Sequence, residues 1–233
     1  MTMITVGAAL PTQLESQRRP RTLRPPGPPQ HQVGGGVTLI QPVGEFGDVV
    51  DFGGGLGAFG VIGFNRSGSV GLRFDGSVVL YGHETVSVPL TGTGRVHLDA
   101  VTSNFIAGLG VGPQVTLGSG PIRPYGYAVG GFSYFATESS LRGSRGGEEF
   151  ASTTNFDDFT FTVGAGGGLL IRISNGGNPV SLDLGATFQD NGRTQYLREG
   201  GIVDLPGGNI ALQPFETQTD LVQYRVGISV GID

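Results

Sequence analysis

The stretch Val222–Ile232, VQYRVGISVGI, decides how this chain folds. Val222, Tyr224, Val226, Ile228, Val230 and Ile232 occupy every second position, and Gln223, Arg225, Gly227, Ser229 and Gly231 fill the gaps. A period of two belongs to a β-strand, whose successive side chains point to opposite faces. One face is therefore greasy and the other polar or very small. Val180, Leu182, Leu184, Ala186 and Phe188 alternate in the same way with Ser181, Asp183, Gly185, Thr187 and Gln189.

Working back along the chain, segments of this kind fall near 33–42, 51–64, 69–82, 102–116, 122–136, 158–173, 179–190 and 219–232, eight in all. Three of the links between them are tight and rich in turn residues: Asn65-Arg66-Ser67-Gly68, Gly118-Ser119-Gly120-Pro121 and Ser174-Asn175-Gly176-Gly177-Asn178. The links 82–101, 137–157 and 191–218 are long and polar, with a shorter one at Val43–Val50. Short and long links alternate, so the two ends of the predicted sheet differ.

Composition narrows the function. The chain has 233 residues, 44 glycines, no cysteine, no tryptophan and 14% charged residues, and its glycines follow no three-residue period that would indicate collagen. All 14 basic residues are arginine, which removes phosphate-binding P-loops, Schiff bases and Ser-Lys dyads. A net charge of −5 argues against a nucleic-acid binder, which needs a basic surface. No apolar run is long enough for a transmembrane helix. A transmembrane barrel remains, because its signal is alternation.

With its hairpin rhythm and unequal links, the region from Val33 to Ile232 resembles the small eight-stranded outer-membrane β-barrel family, OmpA/OmpX-like in architecture. The resemblance implies an all-β, antiparallel, up-and-down transmembrane barrel with short periplasmic turns and long extracellular loops. It further implies location in a bacterial outer membrane, with the lipid bilayer as a partner. Family members usually end on an aromatic residue, whereas this chain ends Gly231-Ile232-Asp233.

In a barrel of eight strands the interior is just wide enough for side chains to fill it. Arg73, Asp75, Gln114, Arg172, Asp183, Gln189, Gln223 and Arg225 lie on the polar face in mid-strand and are expected to form one network that plugs the lumen. Inward glycines at Gly53, Gly55, Gly57, Gly108, Gly110, Gly164, Gly166 and Gly168 leave room for long arginine and glutamine side chains. Phe64, Tyr81, Phe105, Tyr125, Phe159, Phe188 and Tyr224 are candidates for aromatic girdles at the membrane interfaces.

Other motifs carry less. Gly164-Ala165-Gly166-Gly167-Gly168 looks like a phosphate loop, but no helix pattern or ribose-binding acid follows, so strand glycine is the reading. Asp51-Phe52-Gly53 spells the kinase metal-binding tripeptide in a chain without lysine, and Asn65-Arg66-Ser67 is a sequon inside a tight turn. The histidines His31, His83 and His97 have no metal-ligand spacing. An outer-membrane lipid-modifying enzyme could use His83 with Glu84, or His97 with Asp99 and Ser103. Glu148, Glu149, Asp157 and Asp158 make one long link acidic, which could attract a divalent cation or a basic partner.

Residues 1–32 read as a disordered lead-in. Met1-Thr2-Met3-Ile4-Thr5 resembles the start of a vector-borne β-galactosidase α-fragment, and Pro20–Pro29 is proline-rich. The barrel domain is then 33–233. The expected function is structural or surface-interacting, without catalysis, cofactor or metal. An extracellular partner would be met through 82–101, 137–157 and 191–218. A porin-like channel and a soluble lipocalin-like barrel with its greasy face inward are the alternatives.

Overall fold

The computed structural model describes residues 28–48, 50–89, 97–143, 149–175, 177–196, 202–205, 209–212 and 215–232. Residues 1–27, with the vector-like start, lie outside them, as do Glu148 and the side chains of Glu84, His97 and Glu149. The strands are β1 (His31–Pro42), β2 (Gly53–Gly63), β3 (Val70–Pro89), β4 (His97–Thr116), β5 (Ile122–Gly143), β6 (Glu149–Ser174) and β7 (Val180–Asn191). Four short strands follow, β8 (Arg193–Tyr196), β9 (Ile202–Leu205), β10 (Asn209–Leu212) and β11 (Phe215–Gln218), before β12 (Leu221–Ile232). One helical turn, α1 (Gly44–Gly47), joins β1 to β2.

Eight strands close into a barrel in the order β1-β12-β7-β6-β5-β4-β3-β2. Every neighbouring pair is antiparallel, and β1 closes on β12 from His31↔Ile232 to Pro42↔Leu221. Closure leaves no unpaired sheet edge around the wall. Three tight turns sit at the end that carries both ends of the β1·β12 seam nearest the chain termini. In the first of them the Ser69 N–H donates to Asn65 Oδ1 at 2.9 Å, the Gly68 N–H donates to the Asn65 carbonyl at 2.9 Å, and Gly68 takes φ +59°. The sequon is thus turn chemistry.

The alternation fixes which face meets what. Val226 (58% exposed), Leu56 (68%) and Leu109 (73%) stand on the outside, whereas Arg73 and Asp183 are fully buried inside. Outward positions such as Val33, Val37, Leu39, Val78, Val111, Phe161, Val163, Tyr224 and Ile228 continue this apolar surface around the wall. On β12 it runs uncharged from Val222 to Ile232, and on β7 the first outward charge is Asp190, at the outer end. A surface this apolar cannot face water over the whole wall of a monomer. Apolar-out, polar-in is the pattern of a membrane barrel and the reverse of a lipocalin, which excludes the soluble-barrel alternative.

Three sequence expectations are corrected. First, 82–101 and 137–157 are mostly strand: β3 stays paired with β4 as far as Pro89↔His97, and β5 with β6 as far as Arg142↔Glu149. The expected loop starts coincide with ladder irregularities at Leu80/Gly82 and Thr137/Glu138, after which pairing resumes. Second, β1 begins at His31, inside the expected lead-in, because His31 and Gln32 complete the seam with Ile232 and Gly231. Pro29 is buried beside it and Gln30 Nε2 donates to the Gly63 carbonyl at 3.3 Å. Third, 191–218 holds two small antiparallel pairs, β8·β11 and β9·β10.

The outer third of the lumen is apolar, which the polar-face reading missed. Phe46 of α1 is fully buried among Ile40, Val79, Tyr81, Ile106, Phe135 and Leu221. Its ring meets Tyr81 edge-on at 5.7 Å and Phe135 at 6.2 Å. Hydrogen bonds from Val43 N to the Asp220 carbonyl (3.0 Å) and from Val50 N to the Phe46 carbonyl (3.0 Å) hold the turn in place.

If the outer face meets lipid, Val226→Arg places a charge in the apolar band and should cost about 2–4 kcal/mol near the bilayer midplane. Urea unfolding from lipid vesicles measures this. Arg66→Ala in the exposed turn, measured alongside, should change little.

Candidate functional site

The lumen is built by inward positions that the strand period aligns. Arg73 and Asp75 come from β3, Gln114 from β4, Tyr125 and Tyr127 from β5, Asp183 and Thr187 from β7, and Arg225 from β12. Arg73 grips Asp75 with two nitrogens of one guanidinium edge, Nε to Oδ2 and Nη2 to Oδ1, the latter at 2.7 Å. Its remaining Nη1 donates to Gln114 Oε1 at 2.8 Å, and Gln114 Nε2 passes the chain to Thr116 Oγ1 at 3.1 Å. The flat faces of the guanidinium lie 4.1 Å from the Phe59 ring centre and 4.2 Å from that of Tyr127, which cover an ion otherwise cut off from water.

A second arginine joins through the same carboxylate. Arg225 donates from Nε to Asp183 Oδ2 at 2.9 Å, from Nη1 to Asp75 Oδ1 at 3.3 Å and from Nη2 to the Tyr125 hydroxyl oxygen at 3.3 Å. That hydroxyl in turn donates to Asp183 Oδ1 at 2.6 Å. Two cations and two anions therefore balance, with Asp75 bridging the arginines. Buried ions tolerate removal from water only when paired and hydrogen-bonded in this way.

Five of the eight expected residues, Arg73, Asp75, Gln114, Asp183 and Arg225, thus meet in one bonded cluster. Gln189 and Gln223 lie beside it, lining with Ser77, Ser133, Thr162 and Thr187 a polar chamber of about 30 Å³. That is room for one or two water molecules, far short of a solute path. Arg172 is elsewhere: it stands nearer the short turns, with Arg123 on the adjoining strand, because it is two inward positions below Gly168, which already faces Tyr125.

Sequence reasoning missed the aromatic part of the lumen. Tyr81 and Tyr125, taken as girdle candidates, point inward and are 8% and 6% exposed, whereas Phe64, Phe159, Phe188 and Tyr224 do face outward. Parity on β5 carries the signal, since Arg123, Tyr125, Tyr127 and Val129 alternate with Pro124, Gly126 and Ala128. Gly34, Gly168 and Gly185 make room for lumen rings, and Gly53, Gly57 and Gly164 for Ile40, Thr38 and Val129. A Cβ added at Gly168 or Gly185 would lie 2.6 or 2.7 Å from the Tyr125 hydroxyl oxygen, so both positions admit no larger residue while Tyr125 stays bonded to Asp183.

At the outer rim His83 Nδ1 lies 3.2 Å from Ser103 Oγ, a pairing of the two expected histidine sets rather than either one. Asp99 sits opposite Ser87, on a different rung from Ser103. Asp158 ties β6 to β8, its Oδ2 accepting from the Gln195 N–H at 2.8 Å. Among the described residues no group of three or more His, Asp or Glu side chains could hold a metal ion. Asp220, above β12, has its carboxyl pushed up from the usual range by partial burial first and by the nearby Asp190 second.

No protein-family model matches the chain, and no curated protein matches it. Among solved structures, it is similar to the outer-membrane protein OprG of Pseudomonas aeruginosa at 14% identity and TM-score 0.49, over 88% of this chain and 97% of that one. It is also similar to Ail, the attachment invasion locus protein of Yersinia pestis, at 10% identity and TM-score 0.44 over 88% and 99%. Neisserial surface protein A gives 11% identity and TM-score 0.39 over 87% and 96%. The fold class rests on the chain's own ladder and faces: a small eight-stranded barrel of the outer-membrane type.

Two outcomes follow from this geometry. Asp75→Asn keeps the shape but leaves two buried arginines short of a counter-charge, and should destabilise the barrel by about 3–5 kcal/mol in reversible urea unfolding. A carboxyl whose pKa is raised by folding favours the folded state when protonated, so the rim should gain stability as pH falls through the range just above that of ordinary carboxylates. Asp220→Asn should flatten that gain in hydrogen exchange of the Asp190–Asn191 amides measured across pH.

Proposed function

We propose that this protein is a bacterial outer-membrane barrel, without catalytic activity, that acts as a scaffold for a surface-recognition structure while its own lumen stays closed to solutes. The observation that carries this reading is the length of four strands. β1, β2, β7 and β12 stop at the rim, near Pro42, Gly53, Asn191 and Leu221, whereas β3 to β6 continue as a paired, polar sheet to Pro89, His97, Gly143 and Glu149. Chain that only had to cross the bilayer would need about ten residues per strand. The surplus builds a wall outside, against which the β8·β11 pair packs through β5 and β6, and extracellular partners would be met there.

Two closures support the absence of a pore. The ion cluster of Arg73, Asp75, Asp183 and Arg225 spans the middle of the lumen, and Phe46 closes its outer third. A porin-like reading would need both to yield.

Because the natural chain has no cysteine, single introduced thiols report sidedness cleanly. A membrane-impermeant maleimide added to intact cells should label Thr85→Cys on the projecting part of β3 and spare Ser67→Cys in the short turn until the cells are opened. Equal labelling of both, or the opposite pattern, would overturn the assignment of the projecting sheet to the outside.

A further inference from the structure

The short-turn end of the lumen carries a buried guanidinium that the central cluster does not engage. Arg123, on the inward face of β5, is 4% exposed, and its Nε and Nη2 have no hydrogen-bond partner among the described residues. Arg172 of β6 is close enough to repel it. Below the rim, the carboxylates at inward positions of the described barrel wall are Asp75 and Asp183, and both are already engaged by Arg73, Arg225 and the Tyr125 hydroxyl. A buried guanidinium without a counter-charge is strongly unfavourable.

A third polar side chain is buried without a partner on the inward face. Gln32 of β1 is 3% exposed, and both its Oε1 and its Nε2 lack a partner. Followed through Val61 and Arg73, the ladder leads from Gln32 to Gly112, beside Ala128 and Val129 of β5. Followed the other way, through Gly231, Pro179 and the end of β6, it reaches the Gly118–Pro121 turn. Strands of a closed barrel are tilted and staggered, so the level of Gln32 on the opposite side lies between these limits, on a stretch of β5 that includes Arg123.

The unfilled edge of Arg123 defines the chemistry. Nε and Nη2 form the same side of the guanidinium with which Arg73 holds both oxygens of Asp75. That edge matches two oxygens of an oxyanion in a bidentate, charge-assisted pair. We propose that the periplasmic end of the lumen is a binding site for a small inorganic oxyanion of the phosphate class, seated on Arg123 Nε and Nη2, with the Arg172 charge and the Gln32 amide completing its surroundings. Arg123 faces inward, away from the lipid-facing wall, so the occupant is a free anion and not a headgroup. The site does not depend on any surface role of the projecting sheet.

The test uses the full chain in dodecylmaltoside, titrated with inorganic phosphate against chloride at constant ionic strength, with ¹⁵N NMR of the arginine Nε–H groups and thermal unfolding as readouts. Phosphate should move the Arg123 Nε–H resonance saturably and raise the unfolding temperature, while chloride does neither. Arg123→Gln should weaken phosphate stabilisation roughly tenfold or more, the size of a lost charge-assisted pair, and Arg66→Gln in the exposed turn should leave it unchanged. If Arg123→Gln fails to fold, the wild-type resonance shift and the weaker binding of Arg172→Gln carry the decision. A shift that does not saturate, or one that chloride reproduces, means that water alone fills the site and overturns the proposal.

Discussion

An apolar solvent offers no partner to a peptide N–H or C=O, so a chain that crosses it as strands has to pair every one of them within its own sheet. That requirement explains the β1·β12 seam, which joins the first and last strands over twelve rungs from His31 to Pro42. It also explains why pairing is kept up across difficult sequence. At Gly112 and Pro113 the β4·β5 ladder skips two pairs, since proline has no N–H to give, yet it resumes in the same register at Gln114↔Tyr127. The strand period then sorts side chains between lipid and lumen without further instruction.

Closing eight strands leaves an interior too narrow for water to fill as bulk and too polar to stay empty. The chain meets this in tiers. Near the middle, charges cancel in pairs around Asp75, with Phe59, Tyr125 and Tyr127 as walls. Toward the outer rim, Phe46 and its apolar neighbours fill the section. Between them lies the small hydroxyl-lined chamber, and Asn191 anchors its upper side by accepting from Ser133 and Thr162 and donating to the Thr219 carbonyl at 2.7 Å. In the central tier, Gly34, Gly168 and Gly185 leave the space that the Phe59 ring and the Tyr125 hydroxyl occupy.

The fold was legible because alternation is a local property: Val222–Ile232 and Val180–Gln189 carry their faces in plain order, and both meet the structure as read. The ends of the strands were less legible. Gly82 and Thr137 interrupt the pattern like loop starts, but a bulge absorbs the irregularity and the ladder goes on, a fact that only the partner strand reveals. Within the site, Arg73, Asp75, Gln114, Asp183 and Arg225 were recoverable because a mid-strand charge on the polar face has nowhere else to go. Tyr81 and Tyr125 were misplaced because an aromatic residue suits both an interface girdle and a lumen, and only its parity relative to Arg123 or Val79 tells them apart. Arg172 stands nearer the short turns than that cluster, a height along a tilted strand that sequence position does not give.

The central claim is the sorting itself, with lipid outside and an ion-paired lumen inside. It is measured most directly by methyl NMR of the barrel in a bilayer nanodisc whose acyl chains carry a spin label at mid-depth. The methyls of Val226, Ile228 and Leu184 should broaden strongly, and those of Val61, Val79 and Val129 should be protected. Protection of the first set with broadening of the second, or equal broadening of both, would contradict the account.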